Sequence, residues 1–289
     1  MQVQERALTG ELQGVAFEPA QHRGVGVVVL GGSSGTVPVE RARLLAGLGV
    51  KAIALRWFGG AGQDPGICEV PLEMFERATD HLVAQGCDRI AYVGTSKGAE
   101  AALLVASFDP RISVVVAFSP SSVVWSNSGP GRDGFGWPLR SSFTWRGKPL
   151  PFVGHEAEAV LSVRIWPRAR YLELFERTLQ TFADRLEAAA IPVERSRAKI
   201  ILVAGGDDHL WPSARFARAL SERLAAHGKQ AVLIVHEQAG HRTLLPGETA
   251  SRSAVNEHGG TDEADAELGR AAWAEIVRAL NPDGLPPQP

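Results

Sequence analysis

The stretch from Arg89 to Ser107 constrains the fold of this chain more than any other part of its sequence. Its apolar residues 90–93 predict a buried strand, its alanine-rich end predicts a helix, and Gly-Thr-Ser-Lys-Gly lies between them. This is the order of a G-x-S-x-G nucleophile elbow, in which glycines flank a strained serine and let the helix pass close to the strand. The sequence therefore predicts that Ser96 is a nucleophile at the carboxyl edge of a sheet. The alternative is an ordinary serine in a turn between strand and helix.

Strands and helices alternate in the predicted structure of the first 120 residues. Apolar runs at 25–30, 51–55 and 112–118 predict strands that are buried on both faces, as in a parallel sheet. The helical spacing of apolar residues at 39–47 and 71–85 predicts the connecting helices. Together these elements predict an α/β fold with a mostly parallel, doubly wound sheet. Similar signals predict an edge strand at 12–17, strands at 199–204 and 231–235, and helices at about 171–186, 213–227 and 268–280.

Length and composition favour one large domain over residues 1–289, with a flexible tail at 281–289. Hydrophobic residues make up 45% of the chain, which is enough for a large core, and the formal net charge of −2 argues against a nucleic-acid partner. The two cysteines have neither disulfide-type nor metal-type spacing. The sequence shows no secretory signal and no apolar run long enough to span a bilayer, so we expect a cytoplasmic protein without a membrane partner.

Residues 121–170 interrupt the alternation of strands and helices with a long segment rich in tryptophan, glycine, proline and serine. Long loops inside a domain are functional lids or disordered linkers, and the tryptophan density argues against disorder. We therefore interpret the segment as a lid over a cleft. From Arg132 to Arg170 it carries seven basic and three acidic residues, an excess that could attract an anionic substrate or form a solvated rim.

Aromatic residues near the predicted cleft are candidates for substrate binding. Trp57 and Phe58 follow the strand at 51–55, at the sheet edge where ligand sites gather, although packing beneath a loop explains them equally well. The lid contributes three further candidates, which are Trp125, Trp137 and Trp145.

A serine hydroxyl becomes a good nucleophile only when a base removes its proton and an acid orients that base. The strand at 231–235 is followed by His241, which comes directly after a glycine on a loop, unlike His209 and His236. The strand at 199–204 is followed by Asp207 and Asp208, either of which could be the acid. Asp208 is our preferred acid, and we expect the other aspartate to cap a helix or bind the loop. The order serine, acid, histidine is that of α/β-hydrolases.

An oxyanion hole needs two backbone N–H groups near the nucleophile. We predict that these are the amide of Lys97 and an amide of the loop 31–35, with Ser33 the preferred donor, and that the Lys97 side chain lies on the surface. The loop 31–35 lacks the G-x-G-x-x-G spacing of dinucleotide-binding proteins, so we expect no such cofactor. We also expect no metal, because the adjacent residues 207–209 would rarely converge on one ion.

Several motifs resemble the C-terminal catalytic domain of the acyl-CoA thioesterase and bile acid-CoA:amino acid N-acyltransferase family, within the α/β-hydrolase, dienelactone hydrolase-like superfamily. They are RARLLAGLGVKAIAL, GTSKGAEAAL, IPVERSRAKIILVAGGDDHLWPS, AGHRTLLP and GKPLP, and the resemblance covers roughly residues 25–280. It implies a nucleophile at Ser96, an acid at Asp208 and a base at His241. Family members that transfer the acyl group to an amino acid use cysteine as the nucleophile, so the serine here favours hydrolysis.

The resemblance favours a serine hydrolase that cleaves acyl thioesters carried by coenzyme A or by an acyl carrier protein. Three other hypotheses remain open. The acyl-enzyme could pass its acyl group to an amine or alcohol, the substrate could be a carboxylester or lactone, or the elbow could persist as a scaffold in a binding protein.

Overall fold

A computed structural model describes residues 2–155, 168–249 and 253–281 of the chain. Eight of the strands in these ranges form one sheet in the order β1-β2-β4-β3-β6-β7-β10-β11. All neighbouring pairs are parallel except β1 with β2 and β2 with β4. The strands of this sheet are β1 (Val3–Leu8), β2 (Gln13–Pro19), β3 (Val25–Leu30), β4 (Lys51–Arg56), β6 (Arg89–Thr95), β7 (Ile112–Phe118), β10 (Lys199–Gly205) and β11 (Val232–His236).

Helices cover both faces of the sheet, so central strands such as β3, β4 and β7 are buried on both sides. The helices are α1 (Val39–Ala46), α2 (Glu73–Ala84), α3 (Lys97–Phe108), α4 (Leu172–Thr181), α5 (Leu186–Ala189), α6 (Ser213–Ala226) and α7 (Asp262–Leu280). Val28 and Leu30 of β3 belong to a core with α2, α3 and α6, whereas Val27 and Val29 belong to a core with α1 and α7. The predicted α/β fold with a mostly parallel, doubly wound sheet is confirmed.

Two helix boundaries differ from those expected by more than two residues. The helix predicted at 171–186 ends at Thr181, and a short 3₁₀ turn separates it from α5. Helix α7 begins at Asp262 rather than 268, because the Thr261 hydroxyl accepts a hydrogen bond from Ala264 N and caps the helix.

The segment from residue 121 to 155 packs against the rest of the domain through short, long-range pairings. Its strands β8 (Phe143–Trp145) and β9 (Lys148–Pro149) join β5 (Val70–Pro71) in a small sheet. Single bridges join Val123 to Ala190 and Trp125 to Val153. The lid predicted at 121–170 falls partly outside the described residues, as does the tail at 281–289, and the role of this segment as a lid stays a prediction.

Candidate active site

Ser96 occupies a sharp turn between β6 and α3. Its backbone has φ 57° and ψ −122°, a conformation that costs a non-glycine residue about 1–3 kcal/mol. A methyl carbon added at Gly94 would lie 2.1 Å from Gly98 O, and one added at Gly98 would lie 2.5 Å from Gly31 O. Both glycines of the motif are therefore required by the close approach of helix and strands. The amide of Ser96 donates to Phe118 O over 2.9 Å, which fixes the turn to the end of β7.

His241 and Asp208 form a buried pair on the loops that follow β11 and β10. The His241 Nδ1 atom lies 2.7 Å from Asp208 Oδ2, and the two side chains are 8% and 2% exposed. The other carboxylate oxygen, Oδ1, accepts hydrogen bonds from the amides of Leu210 and Trp211 at 2.8 and 3.2 Å. With Nδ1–H donating to this carboxylate, the imidazole keeps Nε2 for a second partner.

Asp207 binds a different part of the same region. Its Oδ2 accepts from Gly260 N at 2.9 Å, and its Oδ1 lies 3.0 Å from His209 Nε2. The Asp207 side chain is 51% exposed, whereas that of Asp208 is buried. Asp207 thus holds the neighbouring loop, as expected for the aspartate that is not beside His241.

Two side chains, Ser119 and Arg41, connect the loop that carries His241 to residues around the serine turn. The Ser119 hydroxyl donates to His241 O at 2.8 Å, and Ser119 directly follows Phe118, the acceptor for Ser96 N. Arg41 donates to Thr95 Oγ1 at 3.0 Å and to Thr243 O at 2.8 Å, so it joins a residue next to the serine turn to a residue close to His241. The elbow, the loop after β10 that carries Asp208 (the acid loop) and the loop after β11 that carries His241 (the histidine loop) all follow parallel strands and meet at one edge of the sheet.

The loop 31–35 lies beside Ser96, as an oxyanion-binding loop requires. A methyl carbon added at Gly32 would lie 3.2 Å from Ser96 Cβ. Ser33, the preferred donor, is exposed in this loop. The Lys97 amide opens α3, a position where an N–H has no partner within its own helix.

The predicted surface position of the Lys97 side chain is wrong. Eleven of the twelve residues of α3 are buried, so the helix offers Lys97 no solvent-facing side. Its Nζ donates instead to Glu100 Oε2 and Ser142 Oγ, both at 2.7 Å. Burial lowers the pKa of Lys97 and raises the pKa of Glu100, and their pairing opposes both shifts.

The predicted aromatic residues occupy different environments. Trp57 is buried in the core, where its indole N–H donates to Gly31 O at 3.2 Å, and Phe58 packs against it. These two residues thus correspond to packing beneath the loop. Trp145 is half-buried against Phe108, and Trp137 is 56% exposed. The role of both residues in substrate binding stays a prediction.

Trp125 is buried in a cluster of rings that reaches the candidate site. It contacts Phe175, which contacts Trp211, and the Trp211 ring lies 6.0 Å from that of His241. Trp211 was not among the predicted site residues, although it stands three positions after Asp208. The available signal was this short spacing, which places Trp211 on the same loop.

Four of the basic residues that the structure describes in the segment 132–170 form ion pairs. Ion pairs join Arg132 to Asp64, Arg140 to Glu69, Arg168 to Glu257 and Arg170 to Glu173 at 2.9–3.7 Å. Trp166, Arg164, Glu156 and Glu158 lie outside the described residues. The pairing with acidic residues from elsewhere in the chain weakens the positive field expected from the local sequence.

The described ranges contain neither a metal-type cluster nor a helix of membrane-spanning character. No cluster of three or more histidine, cysteine or acidic side chains there could hold a metal ion. Among the described helices, none combines the length and apolar character needed to cross a membrane.

Comparison with known proteins adds a family match. Residues 70–282 match the family described as BAAT / acyl-CoA thioester hydrolase C terminal. Acyl-coenzyme A thioesterase 5 of Mus musculus is 29% identical over 229 residues, which cover 76% of this chain and 49% of that protein. Acyl-coenzyme A thioesterase 1 of Homo sapiens is 27% identical over 242 residues, which cover 82% of this chain and 53% of that protein. The chain spans about half the length of these curated relatives.

A solved structure supports the fold. A dienelactone hydrolase-like promiscuous phosphotriesterase from metagenomic libraries superposes with a TM-score of 0.51 and 16% identity, covering 97% of this chain and 98% of that chain. At this identity the likeness extends to the fold alone, which is that of the α/β-hydrolases.

Proposed function

Because this chain belongs to the BAAT / acyl-CoA thioester hydrolase C-terminal family, as its motifs predicted, we propose that it hydrolyses acyl thioesters through Ser96, His241 and Asp208. The observation that carries the proposal is the buried 2.7 Å contact between His241 Nδ1 and Asp208 Oδ2, on loops that meet the strained turn at Ser96. A strained serine and a carboxylate-bound imidazole are the parts that a nucleophilic hydrolase requires.

The proposed reaction has two steps through an acyl-enzyme. Ser96 Oγ attacks the thioester carbonyl carbon while His241 Nε2 accepts the hydroxyl proton, and Asp208 stabilises the resulting imidazolium. The amides of Lys97 and Ser33 would stabilise the tetrahedral oxyanion. Its collapse breaks the carbon–sulfur bond, and His241 returns the proton to the departing thiolate. His241 then takes a proton from water, which attacks the carbonyl carbon of the acyl-enzyme. As the bond from that carbon to Ser96 Oγ breaks, His241 returns the proton to Oγ and the carboxylic acid is released.

The proposed donor is an acyl group on coenzyme A, because the curated relatives named above are acyl-coenzyme A thioesterases. An acyl group on a carrier protein presents the same thioester carbonyl and is an alternative donor. A serine at position 96 favours water over an amine as the acceptor, in keeping with the motif resemblance. Both cysteines, Cys68 and Cys87, are buried free thiols, which suits a reducing, cytoplasmic compartment.

The test combines active-site labelling with a substrate panel. We expect a fluorophosphonate to label wild-type protein once, at Ser96, and to leave the Ser96→Ala variant unlabelled. We also expect thiol release from acyl-CoA thioesters of several chain lengths. Turnover of p-nitrophenyl esters or lactones without any thioester would contradict the thioester proposal. Incorporation of an added amine into the product would assign the protein to acyl transfer instead.

A further inference from the structure

Ser119 has a backbone conformation that a serine rarely adopts. It directly follows β7, its φ is 45°, and it is fully buried. Among non-glycine residues such a conformation costs about 1–3 kcal/mol, whereas glycine adopts it readily. A serine at this position therefore suggests that its hydroxyl has a role that glycine could not fill.

Each polar group of Ser119 binds a different element at the candidate site. Its amide donates to Val203 O at 2.8 Å, at the end of the strand that leads to the acid loop. Its carbonyl accepts from Trp211 Nε1 at 3.1 Å, and its hydroxyl donates to His241 O at 2.8 Å. One buried residue thus connects β10, the acid loop and the histidine loop.

The contacts of neighbouring residues extend this connection to the serine and the acid. The carbonyl of Phe118 accepts from Ser96 N at 2.9 Å. The amide of Trp211 donates to Asp208 Oδ1 at 3.2 Å, and the indole of Trp211 packs against the His241 ring. The Ser119 hydroxyl is the part of this arrangement that acts directly on the backbone of His241.

We propose that Ser119 is a positioning residue, whose hydroxyl holds the backbone of His241 so that the imidazole faces Ser96. The inference rests on the proposed function, because it assumes that His241 acts as the base for Ser96. A small displacement of a catalytic group is costly, since errors of about 1 Å can reduce rates about a hundredfold.

Ser121 provides a matched control two residues away. It is also fully buried, and its hydroxyl contacts Val123 O at 2.7 Å and Trp125 Nε1 at 2.8 Å, within the segment 121–155. The Ser121→Ala variant loses a buried hydroxyl as Ser119→Ala does, but the lost contacts do not involve His241. Comparison of the two variants separates positioning from a general loss of stability.

The experiment measures fluorophosphonate labelling of Ser96 and acyl-CoA turnover in wild type, Ser119→Ala, Ser119→Gly and Ser121→Ala, with urea unfolding of each. We expect Ser119→Ala to slow labelling about tenfold or more and to lower kcat with little change in KM, whereas Ser121→Ala labels within about twofold of wild type. We expect Ser119→Gly to unfold at higher urea than Ser119→Ala, because it relieves the backbone strain, yet to label as slowly.

Three outcomes would overturn the inference. Equal labelling of Ser119→Ala and Ser121→Ala would make the hydroxyl merely structural, and recovery of the rate in Ser119→Gly would assign the effect to strain. If Ser119→Ala does not fold, the labelling rate of Ser119→Gly is compared with that of Ser121→Ala, and equal rates would overturn the inference. Absence of labelling and turnover in wild type would reject the proposed function itself, and the role of Ser119 with it.

Discussion

Asp207 and Asp208 are adjacent in the chain but differ in burial and in hydrogen-bond partners. Asp208 is buried with one oxygen on His241, whereas Asp207 is half-exposed and binds Gly260 and His209. Sequence spacing left both aspartates as candidate acids, because each follows the same strand. Which aspartate contacts His241 depends on the direction in which the loop turns after β10, and sequence spacing does not encode that direction.

Substitution of each aspartate by asparagine should have a very different effect on kcat. An asparagine at 208 no longer offers His241 a charged acceptor, so we expect Asp208→Asn to lower kcat about 10³–10⁴-fold. An asparagine at 207 keeps an acceptor oxygen for Gly260 N, so we expect less than about a tenfold loss. Thiol release from an acyl-CoA thioester measures both, with circular dichroism to verify folding. Equal losses in the two variants would remove the support for Asp208 as the acid.

Lys97 and Glu100 form a buried ion pair whose partners depend on each other. The Lys97→Met variant leaves the Glu100 carboxylate buried without its cation, which should reduce the free energy of unfolding by about 3–5 kcal/mol. The double variant Lys97→Met/Glu100→Gln removes the charge and keeps an acceptor for Trp125 N, which donates to Glu100 in the native protein. We therefore expect the double variant to be more stable than the single one. Urea unfolding measures both, and a double variant that is no more stable would contradict this account.

At the scale of elements, Arg41 connects α1 to loops that are distant in sequence. Its Nε and Nη2 bind the two carboxylate oxygens of Glu248, each at 2.7 Å, and the side chain also reaches Thr95 and Thr243. The guanidinium lies 4.5 Å from the centre of the Phe118 ring. This single side chain thus braces the serine turn, the end of β7 and the loop after His241.

A lysine cannot reproduce these contacts, because its ammonium lacks the planar fork that binds a carboxylate and two further acceptors. We expect Arg41→Lys to lower kcat about tenfold and to lower the melting temperature. Arg111→Lys is the matched control, since Arg111 binds Asp109 and Asp80 near the start of β7, at the opposite end of that strand. We expect the control to keep wild-type turnover. Similar turnover in both variants would mean that the brace does not act on the active site.

The elements that the sequence predicted well are those whose signals are local. Strands such as β3 and β7 are buried on both faces, and this burial is encoded by continuous apolar runs. The segment 121–155 gave no such signal, because its strands have two or three residues and depend on partners such as Ala190 and Val70. The sequence does not reveal the burial of Lys97, because one of its two partners, Ser142, lies 45 residues away, although the other, Glu100, is in the same helix.

At the scale of the whole molecule, three apolar clusters lie in the described residues. Two flank the large sheet, and the third contains Trp125, Trp211 and Phe216. The first two follow from the alternating pattern of the sequence. The third joins residues from the segment 121–155 to α4, α5 and α6, so it arises only in the folded chain. His155 stacks on Trp125 within this region, with ring centres 5.2 Å apart.

The position of His155 predicts a loss of stability in acid. Burial, assisted by the charge of Lys97, lowers the pKa of His155 to about 4 from an ordinary value of 6.5. Between these values the unfolded chain binds a proton that the folded chain does not, so the free energy of unfolding falls as the pH falls. His155 therefore contributes roughly 3 kcal/mol to the free energy of unfolding above pH 6.5. This contribution is lost progressively as the pH falls towards 4.

Substitution of His155 tests this prediction directly. His155→Phe keeps a ring against Trp125 but cannot titrate, so we expect its free energy of unfolding to fall less steeply than that of wild type between pH 6.5 and 4. Thr178→Val is the matched control, because it removes the hydroxyl that contacts His155 Nδ1 at 2.8 Å and retains the titrating imidazole. Urea unfolding at a series of pH values measures the slopes. A buried neutral histidine must make the free energy of unfolding fall more steeply with falling pH. If this slope were as steep in His155→Phe as in wild type and Thr178→Val, groups other than His155 would cause the loss of stability in acid.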